Sequence, residues 1–249
     1  MGIKLPKKLG KEPLIDAVFE VRFSSSAPVS VIFPGYLFNG LEGEKKIEAF
    51  PISQLPKPVR DADPNLKYAP LSRIEWGQFI FSVSDFSASI SCKYPYPGWS
   101  QFKPAIVKLM GILAKSNIVQ EVERYAVKYI DLLPATDMQQ LIAMFNLELS
   151  IANHKLEKEQ FNIRIDIPDD NFIHTIQLVS FAQAILNNGS KKEGTIVDID
   201  TAVNQPDTSM QLLIDSLSDR LDAIHLANKV MFFNCLKPHA IDSLEPIYD

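Results

Sequence analysis

Cysteine is scarce in this chain of 249 residues, and segments that direct a protein into or across a membrane are missing. Only Cys92 and Cys235 occur, which is too few for a disulfide framework or a cysteine-based metal site. The basic N-terminus does not lead into the apolar stretch of a secretory signal. No run approaches the ~20 apolar residues that a membrane span needs. We therefore expect a cytoplasmic protein that does not associate with a membrane.

The common catalytic motifs are also missing. The sequence contains no GxGxxG, GxxxxGK[ST], HExxH or GxSxG pattern. The usual signatures of dinucleotide-binding proteins, phosphate-loop proteins, zinc proteases and hydrolases are therefore absent. Neither cysteine lies in a sequence motif that would identify it as an activated nucleophile. The sequence therefore favours a protein that is not an enzyme and carries no cofactor.

Charge is unevenly distributed around a net value of −5. Residues 1–135 hold 17 basic and 13 acidic side chains, and the remaining residues hold 8 basic and 17 acidic ones. A nucleic-acid-binding domain usually has a strongly basic patch, so we do not expect DNA or RNA as the partner. The acidic second half fits a basic protein partner, although the solubility of the chain explains it equally well.

The pattern of apolar residues predicts a mixture of strands and helices. The segment 24–70 contains seven prolines, and we interpret it as a surface excursion with a short helix near 27–39. Ser100 and Thr208 or Ser209 are predicted helix caps. The predicted single strands are 14–23 and 121–133. Three predicted hairpins pair 73–86 with 88–94, 145–152 with 160–167, and 172–186 with 194–204. The predicted long helices are 99–116 and about 209–236.

These elements predict an α+β protein with a largely antiparallel sheet packed by two long helices. Two β-rich halves or a half-closed barrel are alternative arrangements of the same strands. We expect residues 1–12 to form a flexible basic arm and 13–249 a single domain. The order of elements in 13–135 returns loosely in 145–237, so a duplication is a hypothesis.

Polar side chains share faces of several predicted strands. Alternation puts Glu20 with Arg22, and Arg124 with Lys128, on one face of their strands. Asp198 and Asp200 share a strand face in the same way and are candidate ligands for a divalent cation such as Mg²⁺. In outline, such faces resemble those of the triphosphate-tunnel enzymes, whose acidic-x-acidic-x-basic motif is absent here. A sheet with one solvated face produces the same alternation without any ligand.

Aromatic residues concentrate where the first hairpin meets the helix at residue 99. Trp and Tyr often anchor protein interfaces, and the same rings can simply fasten the strand to the helix. In the last helix Asp222 and His225 are three residues apart and lie on one face, as an orienting pair or as a polar surface. The interface candidates are Tyr94, Tyr96, Trp99, Phe102, Asp222 and His225.

Four segments resemble a sporadically distributed family of uncharacterised bacterial proteins of about this length. They are KEPLIDAVFEVRF from Lys11, Gly98-Trp99 with Phe102, RYAVKYID from Arg124 to Asp131, and His225 with Phe232. The chain departs from that family's usual Glu, Arg and Asn at Asp16, Lys128 and Asp131. The resemblance implies no established activity, but it adds Asp131 to the candidate ligand residues and points to mobile or defence loci.

Two hypotheses follow from the sequence. The first is a protein-binding or regulatory module, such as the neutralising partner in a toxin–antitoxin or anti-phage system, acting on a protein encoded in the same operon. The second is a polar pocket that binds or hydrolyses a phosphate-rich ligand with a divalent metal through Glu20, Arg22, Arg124, Lys128 and Asp131. The abundance of aromatic residues is also compatible with a homodimer.

Overall fold

The computed structural model describes residues 5–186 and 189–248, and their side chains except those of Ile151 and of residues 205–208. Helix and strand make up 32% and 38% of the chain, which confirms the α+β class. The helices are α1 Val29–Gly40, α2 Lys57–Ala62, α3 Trp99–Ser116, α4 Met138–Met144, α5 Met210–Asp215, α6 Leu217–Asn234 and α7 Pro238–Ser243, with a 3-10 turn at Pro51–Gln54. None of the helices in these described ranges has the length and apolar character needed to cross a membrane.

Thirteen strands are formed within the described residues. They are β1 Lys8–Leu9, β2 Leu14–Ser24, β3 Lys46–Ala49, β4 Ser72–Trp76, β5 Phe79–Val83, β6 Ser87–Cys92, β7 Glu121–Leu133, β8 Ser150–Ile151, β9 His154–Lys155, β10 Asn162–Asp169, β11 Phe172–Ile185, β12 Lys191–Ser209 and β13 Pro246–Ile247. Nine of them form a largely antiparallel sheet in the order β10-β11-β12-β7-β2-β6-β5-β4-β3. The pairs β1–β13 and β8–β9 are separate two-stranded ladders.

The chain divides into two compact units, each built from separate stretches of sequence. Unit 1 comprises residues 1–17, 128–201 and 224–249, and unit 2 comprises 18–127 and 202–223. These boundaries do not follow the predicted halves 13–135 and 145–237. The duplication of those halves therefore stays a hypothesis.

Unit 2 contains α3, whose bounds agree with the predicted helix. Phe102, Ile106 and Leu109 repeat at helical spacing and are fully buried, so the apolar face that predicted the helix is the face that packs. The predicted cap is wrong: Gly98, with φ of +93°, precedes the helix and offers no side-chain cap. Ser209, by contrast, does accept a hydrogen bond from the backbone N–H of Leu212 at 3.3 Å and caps α5 as predicted. The side chain of Thr208, the other predicted cap, lies outside the described residues.

The predicted long strand at 73–86 is instead a hairpin of its own. It breaks into β4 and β5 at a turn in which Gly77 has φ of +55°, a conformation that glycine adopts without steric cost. The alternation of apolar residues continues on both sides of the turn, which is why the sequence pattern concealed it. β5 then pairs with β6, so that the second predicted strand is correct.

Unit 1 has a core formed by strands and the last helices. Leu133, Val197, Ile199, Phe233 and Leu236 are among its buried side chains. Gly194 sits where a Cβ atom would lie 2.2 Å from the carbonyl oxygen of Leu133. Only glycine permits so close an approach of the two backbones.

Several sequence predictions in unit 1 are corrected. The segment 160–167 does not pair with 145–152: β10 pairs with β11, while Phe145 forms an isolated bridge with Leu236. Residues 138–144 form the unpredicted helix α4, capped by the side chain of Asp137.

Two predictions near the ends of the chain are also corrected. The long last helix is interrupted at Ser216, between α5 and α6. The predicted flexible arm contains β1, whose Lys8 and Leu9 pair with β13. Residues 1–4 of that arm lie outside the described residues.

Candidate functional site

Three of the predicted ligand residues meet in unit 2. Oε1 of Glu20 accepts a hydrogen bond from Nε of Arg22 at 2.6 Å and another from Nη1 of Arg124 at 3.1 Å. The three side chains are 16–31% exposed, as expected for the solvated face of β2 and β7. One carboxylate is thus shared between two guanidinium groups, and the three residues carry a net positive charge.

Aromatic rings and lysines that the sequence analysis missed extend this group. The guanidinium carbon of Arg22 lies 4.1 Å from the centre of the Tyr68 ring. Nζ of Lys67 lies 5.1 Å from the Tyr68 ring and 5.6 Å from the Phe86 ring, and Nζ of Lys57 lies 4.7 Å from the Phe86 ring. These are cation–π distances. We call the set formed by Glu20, Arg22, Arg124, Lys57, Lys67, Tyr68 and Phe86 the basic–aromatic cluster.

A buried ion pair attaches the proline-rich excursion to the turn that carries Phe86. Arg60 in α2 donates to Oδ2 of Asp85 from Nε and Nη2, at 3.2 and 2.7 Å, and Ser30 in α1 donates to Oδ1 at 2.6 Å. Burial raises the pKa of Asp85, but the hydrogen bonds from Ser30 and Arg60 and the nearby positive charges outweigh it and leave the pKa lowered. Asp85 is therefore an ionised anchor that holds α1 and α2 beside the cluster.

Lys128, the fourth predicted ligand residue, belongs to unit 1 and is ion-paired. Its Nζ lies 2.7 Å from Oδ2 of Asp198. Burial raises the pKa of Asp198, and that of Asp16, and the charge of Lys128 opposes both shifts. The charge of Lys128 in β7 thus favours the ionised forms of Asp16 in β2 and Asp198 in β12.

Asp131, the fifth predicted ligand residue, is buried. It is three residues from Lys128, an odd spacing that puts the two side chains on opposite faces of β7. Only 5% of Asp131 is exposed. Burial raises its pKa well above the usual range, and the charges of Glu12 and Asp198 add to the shift. Burial, helped by Asp131, also raises the pKa of Cys235 to about 11.

The candidate metal ligands Asp198 and Asp200 lie on the half-exposed face of β12, as the alternation predicted. Across residues 5–186 and 189–248, no three or more His, Cys, Asp or Glu side chains are grouped so that they could hold a metal ion.

The aromatic interface candidates pack against one another within unit 2. Phe102 is fully buried, and the rings of Tyr96 and Trp99 meet it edge-on, each 6.1 Å between centres. Nε1 of Trp99 donates to Asp222 at 3.0 Å, and Nζ of Lys103 donates to the same carboxylate at 2.7 Å. These contacts join the start of α3 to Tyr96 and to Asp222 of α6. Tyr94 is half-buried.

His225 lies in the part of α6 that belongs to unit 1. Its Nδ1 is 2.9 Å from the hydroxyl of Tyr129, and the two rings meet edge-on. The described hydrogen bonds of the predicted Asp222–His225 pair thus go to other residues. Asp222 accepts from Trp99 and Lys103, and His225 is bonded to Tyr129.

An exposed apolar surface lies on the proline-rich excursion. Val31, Tyr36 and Phe38 of α1 are 76%, 44% and 43% exposed, and Ile47 of β3 is 49% exposed. All four residues of β3 are exposed, and β3 is the last strand of the nine-stranded sheet. Helix α1 contacts β4, the strand that pairs with β3, and we call Val31, Tyr36, Phe38 and the strand β3 the α1–β3 surface. The sequence placed a functional excursion here but gave no pattern that separated its exposed from its buried apolar residues.

No protein-family model matches the chain, and no curated protein is significantly similar to it in sequence.

Proposed function

We propose that this chain is a non-enzymatic binding module that recognises a partner protein through the α1–β3 surface. The observation that carries the proposal is the composition and exposure of α1. Its 12 residues include no charged side chain, yet Val31, Tyr36 and Phe38 are exposed, with only Nζ of Lys45, 4.9 Å from the Phe38 ring, described over one of them. A helix that is apolar on all sides is normally buried.

The energetic argument concerns the apolar area left in water. Single exposed apolar residues are ordinary, but several on one uncharged helix form a patch of the kind that marks interaction sites. Burying apolar surface gains about 25 cal/mol per Å². A partner with its own apolar, uncharged face would recover this free energy.

The strand β3 offers a second mode of contact. Among the described residues it pairs only with β4, so one edge of its backbone is available for an added strand. Lys46 and Glu48 on this strand discourage unspecific pairing, since charged edge residues oppose aggregation. We expect the partner to combine an apolar face with an extended segment.

The resemblance to proteins of mobile and defence loci guides the choice of partner. We propose a cytoplasmic protein encoded beside this one, such as a toxin or effector that the chain neutralises. The acidic second half of the sequence favours a partner with a basic surface.

The test is co-elution of the purified chain with the product of its neighbouring gene. We expect a stable complex with the wild type, and its loss with Val31→Glu combined with Phe38→Glu. Leu212→Glu and Ile185→Glu are matched controls, because these side chains are 63% and 71% exposed elsewhere in the chain and should leave the complex intact.

Two results would contradict the proposal. Separate elution of the wild-type proteins at micromolar concentration would show that the product of the neighbouring gene is not the partner. A homodimer that the α1 substitutions dissociate would show instead that a second copy of this chain occupies the surface.

A further inference from the structure

The strand β10 of unit 1 is at one end of the nine-stranded sheet, and its outer edge is open. Among the described residues β10 pairs only with β11, and six of its eight residues are exposed. We propose that β10 is a dimerisation strand, which pairs antiparallel with β10 of a second copy of this chain and places Arg164 opposite Asp166 of that copy. None of these residues belongs to the α1–β3 surface.

The backbone of β10 offers hydrogen-bonding groups along this edge. Phe161 continues the register with β11 and lies opposite Ser180, whose backbone N–H donates to the carbonyl oxygen of Phe161 at 3.1 Å. Hydrogen-bonded pairs recur at every second residue of an antiparallel ladder. The odd-numbered residues of β10 therefore bond to β11, and the even-numbered residues direct their N–H and C=O groups outward. Pro168, which has no N–H, is at an outward position, as expected for proline in an edge strand.

The sequence of β10 is self-complementary in charge. A two-fold axis at Ile165 puts Arg164 opposite Asp166 of the second copy and Asp166 opposite Arg164 of that copy. The outward backbone groups of the same two residues then face each other and form hydrogen-bonded pairs. Registers centred one residue to either side would place Arg164 opposite Arg164, or Asp166 opposite Asp166, and directly opposed like charges are destabilising. The charges therefore select one register, in which the pairing closes with two copies.

The charged groups of β10 are available for a partner. Arg164 and Asp166 are exposed, and neither forms an ion pair within the described residues. Asp166 accepts a hydrogen bond from the hydroxyl of Thr175 at 2.6 Å, which leaves its charge uncompensated. The charge of Arg164 lowers the pKa of Asp198, but that carboxylate is ion-paired with Lys128.

The apolar face of β10 adds to the contact. Ile163, Ile165 and Ile167 share this face by alternation, Ile167 packs against the core of unit 1, and Ile165 is 47% exposed. In the proposed register Ile165 meets Ile165 of the second copy, and Ile163 meets Ile167, which removes apolar surface from water. A single strand edge is smaller than a permanent interface, so we expect a dissociation constant in the micromolar range.

The strand β3, at the other end of the sheet, provides a comparison. It also carries opposite charges two residues apart, at Lys46 and Glu48, but it has four residues and β10 has eight. Glu48 is already paired with Arg73 at 2.8 Å. The longer edge with uncompensated charges is therefore that of β10, and β3 supplies a matched control.

Sedimentation velocity of the full chain across the micromolar range tests the proposal with two charge variants. Arg164→Asp opposes negative charges twice in the dimer, and Asp166→Arg opposes positive charges twice. We expect each variant to dimerise about tenfold or more weakly than wild type, because two attractive pairs become repulsive. An equimolar mixture of the two variants should form a heterodimer about as stable as the wild-type dimer, since every pair in it again joins opposite charges.

Two further measurements locate the contact. Lys46→Glu changes a charge on β3 and should leave the dimer intact. Hydrogen exchange followed by NMR should show that the backbone N–H groups of Arg164 and Asp166 exchange more slowly in concentrated than in dilute samples. The N–H of Ile165, which already bonds to β11, should not depend on concentration.

Four results would overturn the proposal. They are a wild-type chain that stays monomeric throughout the micromolar range, a dimer that both charge variants keep, a mixture of the variants that stays monomeric, and equal weakening by Lys46→Glu. The last would indicate a contact at β3 or repulsion by general charge.

Discussion

Asp85 in unit 2 and Asp131 in unit 1 are both almost fully buried, and their surroundings treat their charge in opposite ways. Asp85 receives hydrogen bonds from Ser30 and Arg60, which hold its pKa below the usual value. Asp131 lies near the negative charges of Glu12 and Asp198, and its pKa is far above that value. Burial alone therefore does not decide the state of a carboxyl group; the partners supplied by distant segments do.

The comparison extends to function. In unit 2, ionised groups are paired both in the interior, at Arg60–Asp85, and nearer the surface, at Arg22–Glu20. In unit 1, burial raises the pKa of several carboxyls, and Lys128, the predicted ligand cation of this unit, is paired with Asp198. The predicted ligand cations of both units, Arg22, Arg124 and Lys128, are thus already paired with carboxylates.

The largest effect on the free energy of unfolding is expected from breaking the buried ion pair between Arg60 and Asp85. Arg60→Met should lower the free energy of unfolding by about 3–5 kcal/mol, because it leaves the Asp85 charge buried without its partner. Urea unfolding at pH 7 measures this change. The double variant with Asp85→Asn should recover part of the loss, and Arg73→Met, at an exposed pair, should cost less than about 1 kcal/mol. If Arg60→Met cost no more than Arg73→Met, Asp85 would not be an ionised anchor.

The second expected effect is that Asp85 and Asp131 change the free energy of unfolding with pH in opposite directions. Above about pH 4 the unfolded chain ionises Asp131, whereas burial and the charges of Glu12 and Asp198 oppose its ionisation in the folded chain. This group therefore lowers stability as pH rises, by up to about 1.4 kcal/mol per unit. Asp131→Asn should flatten the stability profile between pH 4.5 and 7.5 and be more stable than wild type at pH 7. Asp85, with its lowered pKa, contributes stability above pH 4 that is lost in acid.

The measurement is urea unfolding of wild type, Asp131→Asn and Asp85→Asn across this range. Parallel profiles for wild type and Asp131→Asn would mean that Asp131 is ionised in the folded protein.

The smallest effect is expected at Lys128. Its pair with Asp198 is partly exposed, 38% at the lysine, so Lys128→Met should change stability by less than about 1 kcal/mol. The same substitution should raise the pKa of Asp198 further, since the charge of Lys128 now lowers it. Titration of the Asp198 carboxyl carbon by NMR follows this. An unchanged pKa would mean that the ion pair does not form in solution.

The candidate site could be predicted only in part. Alternation along β2 and β7 was enough to select Glu20, Arg22 and Arg124, because charged residues separated by an even number of positions share a strand face. Asp131 was added by a motif resemblance, and its odd spacing from Lys128 puts it on the buried face of β7. Tyr68, Lys67 and Lys57 were missed because no local pattern connects an irregular, proline-rich loop to a strand some 45 residues earlier.

Local periodicity in the sequence determined the α+β class and the bounds of α3 and β7. Apolar spacing of 3.6 or 2 residues reports which face of an element is buried, whatever it packs against. Tertiary structure decided the division of β4 from β5, the pairing of β10 with β11 and the opposite directions of the pKa shifts of Asp85 and Asp131. They depend on which remote groups come into contact, and the free energy of a buried charge is set by those contacts.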